Sequence, residues 1–97
     1  MTKMVMVSYN EAVESEVMDS LAGCALKNYT KITDTYGRGL TSGTHLGNDI
    51  WPGKNSVLYV ACEDKEARQL LSRIKELRKT LGKEGVKACR LPLEDMT

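Results

Sequence analysis

The sequence is poor in the residues from which many active sites are built. It has one histidine, so a histidine-based triad would depend wholly on His45. Its three cysteines, Cys24, Cys62 and Cys89, are odd in number, widely spread and nowhere in CxxC spacing. Reduced thiols acting as small hydrophobes are therefore expected, not a disulfide framework or metal knuckle. No GxxxxGK[ST] run occurs, so there is no Walker A loop. No apolar stretch is long enough to span a membrane, and the opening MTKMVMVSYN lacks the apolar core and cleavage site of a secretory signal. A cytoplasmic protein is the expectation. The net charge is only +1, and no aromatic stacking platform accompanies the cations, so nucleic acid is not an expected partner. No catalytic constellation emerges, and an enzyme is not expected.

What is present is the composition of an ordinary globular domain, 41% hydrophobic and 28% charged over 97 residues. One domain spanning 1-97 is expected, with a modest core that assembly into an oligomer would help. The charges are segregated. Glu11, Glu14, Glu16 and Asp19 cluster near the start, whereas nine of the fourteen lysines and arginines lie between Lys65 and Arg90. This pattern reads either as two solvated helix faces of opposite sign or as a positive region that collects an anion.

Met4 to Tyr9 reads as a buried central strand. Asn10 is a good N-cap for a helix whose apolar stripe is Val13, Val17, Met18 and Leu21, with Gly23 as its stop. Tyr29 to Tyr36 has the β-branched, polar character of an edge strand, and Ser56 to Cys62 is the strongest strand signal. Asp64 is expected to cap a long helix with the stripe Ala67, Leu70, Leu71, Ile74, Leu77 and Leu81, ended by Gly82. Val86 to Leu93 completes the pattern near Pro92. The order βαββαβ predicts a ferredoxin-like α+β fold, a four-stranded antiparallel sheet with two helices on one face. Its other face, carrying Met4, Met6, Val57, Tyr59 or their alternates, would then need a cover. A symmetric oligomer supplies one.

Between the second and third strands lies a long connection, 37-55, with five of the eight glycines, the only histidine and the only tryptophan. Loops of this length in a small domain are usually functional or disordered. This one carries Thr44, His45, Leu46, Asp49, Ile50 and Trp51, side chains suited to contact a partner. His45 and Asp49 are too few to make a metal site. Gly37-Arg38-Gly39 reads either as a turn or as a place where backbone approaches a ligand and a guanidinium grips phosphate or carboxylate. Gly82-Lys83-Glu84-Gly85-Val86-Lys87 likewise reads as a helix cap with solvated lysines or as an anion-binding turn.

Taken together, these residues resemble the PII-like signalling superfamily. The long loop falls where PII proteins carry their partner-contacting T-loop, Gly37-Arg38 matches the pair at that loop's base, Thr80 to Lys87 is similar to the family's Gly/Lys B-loop, and Leu91-Pro92-Leu93-Glu94-Asp95 matches the LPVED run that closes the fourth strand. The resemblance implies a homotrimer that binds a small anionic effector, an adenine nucleotide first among the candidates, in clefts between subunits. Gly37, Arg38, Gly39, Lys83, Gly85 and Lys87 would hold it, and the loop would report it to a membrane transporter or an enzyme. No resident cofactor is implied. Val86 stands where the family has glycine, and no tyrosine lies between Tyr36 and Tyr59, so a divergent relative with its own ligand is expected. The neighbouring CutA-like family shares the layout and implies the alternative, a trimeric metal-binding protein that uses the cysteines and His45.

Overall fold

Strand β1 (Thr2–Asn10) is one of two inner strands that pair along both of their edges. The computed structural model describes residues 2–36, 54–81 and 85–97. After β1 come a single 3-10 turn (Glu11–Val13), α1 (Glu14–Gly23), β2 (Thr30–Thr35), β3 (Asn55–Glu63), α2 (Asp64–Leu81) and β4 (Val86–Pro92). The sheet order is β2-β3-β1-β4 and every pairing is antiparallel. This is the expected ferredoxin-like α+β layout. No helix among the described residues is long and apolar enough to cross a membrane.

The alternation along β1 sorts the two faces. Val5, Val7 and Tyr9 are fully buried and stand in register with Val60, Leu58 and Ser56 of β3 and with Arg90, Ala88 and Val86 of β4. Val17 and Leu21 of α1 and Ala67, Leu70 and Ile74 of α2 close over this face as one core. The other face carries Met4, Met6, Val57, Tyr59, Ala61 and Cys89, all half-buried, with Ile32 and Leu91 more open still at 46% and 41% exposure. The anticipated uncovered apolar face is therefore present on the isolated chain.

Asn10 caps the 3-10 turn that leads into α1, its side chain accepting from the Ala12 N–H at 2.9 Å, whereas α1 itself begins after Val13 without a side-chain cap. α1 ends at Gly23, as expected, and the chain then reverses at Ala25, which takes the left-handed conformation at φ 58. The Leu26 N–H returns to Leu21 O and the Ala25 N–H to Ala22 O, and both leucines are buried. This is a Schellman closure with alanine at the position glycine normally fills. A Cβ on Gly23 would meet the Arg73 guanidinium, the movable end of a long side chain, which here lies against the last turn of α1. That turn has no basic residue of its own, and a cation is favoured at a helix C-terminus.

Asp64 also differs. It is the first residue of α2, not the residue before it. The capping contact belongs to Glu66, whose carboxylate accepts the Glu63 N–H at 2.9 Å, half of a capping box. Asp64 instead takes Arg68 at 2.9 Å and Arg90 of β4 at 3.3 Å. The Arg90 approach to Oδ1 is an ion pair without hydrogen-bond alignment, since that oxygen has no hydrogen-bond donor of its own. Smaller shifts follow from pairing: β1 and β3 extend to meet each other over nine residues, so Asn55 belongs to β3 and not to the long loop.

Replacing Ala25 with glycine relieves left-handed strain of about 1–2 kcal/mol and adds about 0.4–1 kcal/mol of unfolded-state entropy. Ala25→Gly is therefore expected to raise the urea midpoint, by a net of about 0.5–1 kcal/mol. A lowered midpoint would show that Ala25 is unstrained.

Candidate functional site

The long segment and the glycine-lysine turn are far apart in sequence, yet their described ends lie at one end of the sheet. There β1 ends at Asn10, β2 ends at Thr35, β3 begins at Asn55 and β4 begins at Val86. Asn10 and Thr35 are both in register with Asn55, and Tyr9 with Val86. Two backbone hydrogen bonds tie the region together. The Asn10 N–H donates to Gly85 O at 3.0 Å, and the Glu11 N–H donates to Lys54 O at 2.8 Å. One dipeptide thus holds the residue that follows the turn and the residue that ends the long segment. Asn10 Nδ2 also donates to Asn55 Oδ1 at 3.4 Å, and Asn55 is 2% exposed.

Within one chain the outgoing and turn sides are not neighbours. β2 and β4 are the two edges of the sheet, three strand spacings or roughly 14 Å apart. The returning side at Lys54 is closer, with only β1 between β3 and β4.

Of the anticipated anion-binding residues, Gly85 and Lys87 lie in the described structure. Gly85 is half-buried, and a Cβ on it would meet Val13 Cγ1 at 3.8 Å, an ordinary contact, so space alone does not demand glycine there. Lys87 is exposed and in register with Ser8, on the apolar face turned away from the helices. Gly37, Arg38, Gly39 and Lys83 lie outside the described residues, as do Thr44, His45, Leu46, Asp49, Ile50 and Trp51.

The three cysteines do not share one site. Cys24 and Cys62 are buried in the core on the helix side, whereas Cys89 shares the opposite face with Met6. Burial above all, then the charge of Glu66, raises the Cys62 thiol pKa, which keeps it protonated and unreactive. Among the described residues no three His, Cys, Asp or Glu side chains are grouped to hold a metal ion.

Sequence reading missed one polar cluster. The Tyr9 hydroxyl donates to Glu14 Oε1 at 2.6 Å, and Lys31 Nζ of β2 approaches the same oxygen at 2.5 Å. Burial chiefly, then the hydrogen bond to Glu14 and its charge, lift the Tyr9 phenol well above its ordinary range, with Ser56 opposing. The hydrogen bond from Lys31 first, then that from Tyr9, lowers the Glu14 carboxyl. The sequence offered little signal for this, since Tyr9 and Glu14 are five apart across a strand end and Lys31 belongs to another element.

No protein-family model matches the sequence, and no curated protein matches it. Solved structures do match. A PII-like signalling protein from Thermus thermophilus superposes with a TM-score of 0.65 at 22% identity, over 92% of this chain and 83% of that one. The nitrogen regulatory PII-like protein CPII from Thiomonas intermedia matches in its apo form with a TM-score of 0.66 at 14% identity, over 93% of this chain and 90% of that one. Its complex with ADP and bicarbonate matches with a TM-score of 0.67 at 15% identity, over 93% and 87%.

The chain has the fold of PII-like signalling proteins.

In this PII-like fold the Glu14 cluster imposes two pH limits. A depressed folded-state carboxyl contributes stability that is present above its ordinary value of 4.5 and lost as pH falls through the folded value. The raised Tyr9 phenol contributes below its ordinary 10.0, and that share is lost as pH rises beyond it. Glu14→Gln should cost about 1 kcal/mol near pH 7, below the roughly 1.5–3 kcal/mol of a charged hydrogen bond because the carboxylate is open to solvent. The gap from the parent should close as the pH falls below the ordinary carboxyl range. Denaturant unfolding across pH checks this; a gap that stays constant with pH would refute it.

Proposed function

We propose that the protein is a PII-like regulatory sensor, a single domain that binds a small anionic effector and reports it through the segment 37-55. The observation that carries this reading is the Asn10–Glu11 junction, which anchors the ends of the two glycine- and cation-bearing segments at one end of the sheet. The fold it shares with CPII adds support, since CPII is described bound to ADP, AMP and bicarbonate. An adenine nucleotide, with bicarbonate as a second candidate, is therefore the effector class to test.

On this reading the site is completed between subunits. The first arm of the long segment and the turn before β4 leave opposite sheet edges of one chain, which favours their meeting across a boundary between copies. The half-buried face of Met4, Met6, Val57 and Tyr59 is apolar enough to need a cover, and a homotrimer provides it. Lys87 stands on that same face. Arg38 and Gly37 at the loop base, with Lys83, Gly85 and Lys87, would grip the anion by charge-assisted hydrogen bonds. Thr44, His45, Leu46, Asp49, Ile50 and Trp51 would meet the regulated partner, a transporter or an enzyme, in the cytoplasm. Each effector shifts the loop only by its differential affinity for the two loop states.

Titration calorimetry with ATP, ADP, AMP, cyclic AMP and bicarbonate tests the ligand. Binding of at least one is expected, weakened about tenfold or more by Arg38→Ala and by Lys87→Ala, the loss of one charge-assisted contact each. No heat with any of them, or unchanged affinity in both variants, would sink the reading.

Light scattering on a sizing column tests the assembly separately. The parent chain should run at three times the chain mass, and Met6→Glu, which places a charge on the apolar face, should release monomers. A parent that runs as a monomer at every concentration would remove the trimer.

A further inference from the structure

β2 is the strand least tied to the rest of the molecule. Its residues are exposed except for Thr35, which is half-buried, and it pairs on one side only, with β3. That pairing is interrupted between Ile32 and Thr35, where Asp34 adopts φ 57. None of its side chains belongs to the buried core, and its one aliphatic residue, Ile32, lies on the sheet's uncovered face at 46% exposure. An edge strand with so little apolar anchorage has a low local stability of its own.

Lys31 is the exception. It is in register with Leu58, which places it on the helix side of the sheet. From there its ammonium reaches Glu14 Oε1 in the first turn of α1, the oxygen that also accepts from the hydroxyl of fully buried Tyr9. A single carboxylate oxygen thus joins the central strand, the first helix and the edge strand. Among the described residues β2 makes one further ion pair, Asp34 with Lys54, 3.9 Å long between side chains about two-thirds exposed, a geometry that contributes little.

We propose that Tyr9, Glu14 and Lys31 form a latch that holds β2 on the helix layer, and that without it Thr30–Thr35 opens as a unit while the other three strands stay paired. β1, β3 and β4 keep their mutual pairing and their buried residues in that opening, so no core is lost. The latch acts on the strand that leads into the long segment, and it operates whether or not an effector binds.

Hydrogen exchange followed by mass spectrometry on the full chain tests this. In Lys31→Met the amides of residues 27–36 should exchange roughly tenfold faster, the loss of a charge-assisted contact, with β1 and α2 unchanged. Lys54→Met should leave β2 unchanged, and Lys31→Arg should preserve its protection. Glu14→Gln should accelerate the same segment, and the double variant should be no faster than the faster single one, because both remove the same link. Unchanged β2 exchange in Lys31→Met would overturn the proposal. So would equal acceleration of α2 and β1, or additive effects in the double variant.

Discussion

The double pairing of β1 is the constraint on which the rest of the structure depends. Nine residues of β1 are in register with β3 and seven with β4. A slip of one residue on either side would carry Val5, Val7 and Tyr9 to the uncovered face and place Met4, Met6 and Ser8 under the helices. Such a slip would also move Asn10 away from Asn55. The same alternation that selects the core therefore also fixes where Lys54 and Gly85 are received. Core packing and the position of the candidate site are one geometric decision made along a nine-residue strand.

The two faces of the sheet have different chemistry because the sequence places different residues on them. The helix side uses branched aliphatics and a buried tyrosine, which pack tightly against Val17, Leu21, Leu70 and Ile74. The opposite side uses Met4, Met6, Tyr59 and Cys89, residues that are apolar but adaptable. Lys87 shares this second face, near the sheet end where the turn residue Gly85 is held. Under the trimer reading, covering the apolar face and positioning a cation for an effector would be the same event. That would make ligand affinity depend on assembly, a linkage that follows from shared residues and needs no separate mechanism.

Much of the fold was legible in the sequence. The short apolar runs of β1 and β3 mark buried strands and the 3.6-residue stripe of α2 marks its buried side, but runs apolar on both faces did not say which strand face the helices would cover. What misled was local chemistry that depends on partners far along the chain. Gly23 does end the helix, but the left-handed reversal that closes it falls on Ala25, where no glycine marks it. Asp64 reads as a cap, but Arg68 and Arg90 claim its carboxylate. The Tyr9–Glu14–Lys31 cluster has no sequence periodicity at all, since it joins three elements through one oxygen. Of the site, the sequence marked both segments by their glycines and cations. It could not indicate that Asn10 and Glu11 hold their ends.

That last point has a physical reason. The bonds from Asn10 to Gly85 and from Glu11 to Lys54 are made by backbone groups on both sides. Every non-proline residue carries the same donor and acceptor, so these two bonds demand a conformation, and side-chain identity enters through Asn10, which caps the turn there and reaches Asn55. The sheet beneath it demands residue classes in alternation, which many different sequences satisfy. An architecture specified in this way can persist when few identical residues remain, as in the match to the Thermus protein at 22% identity over 92% of this chain. Side chains at the ends of the strands can then vary while the backbone that presents them stays fixed.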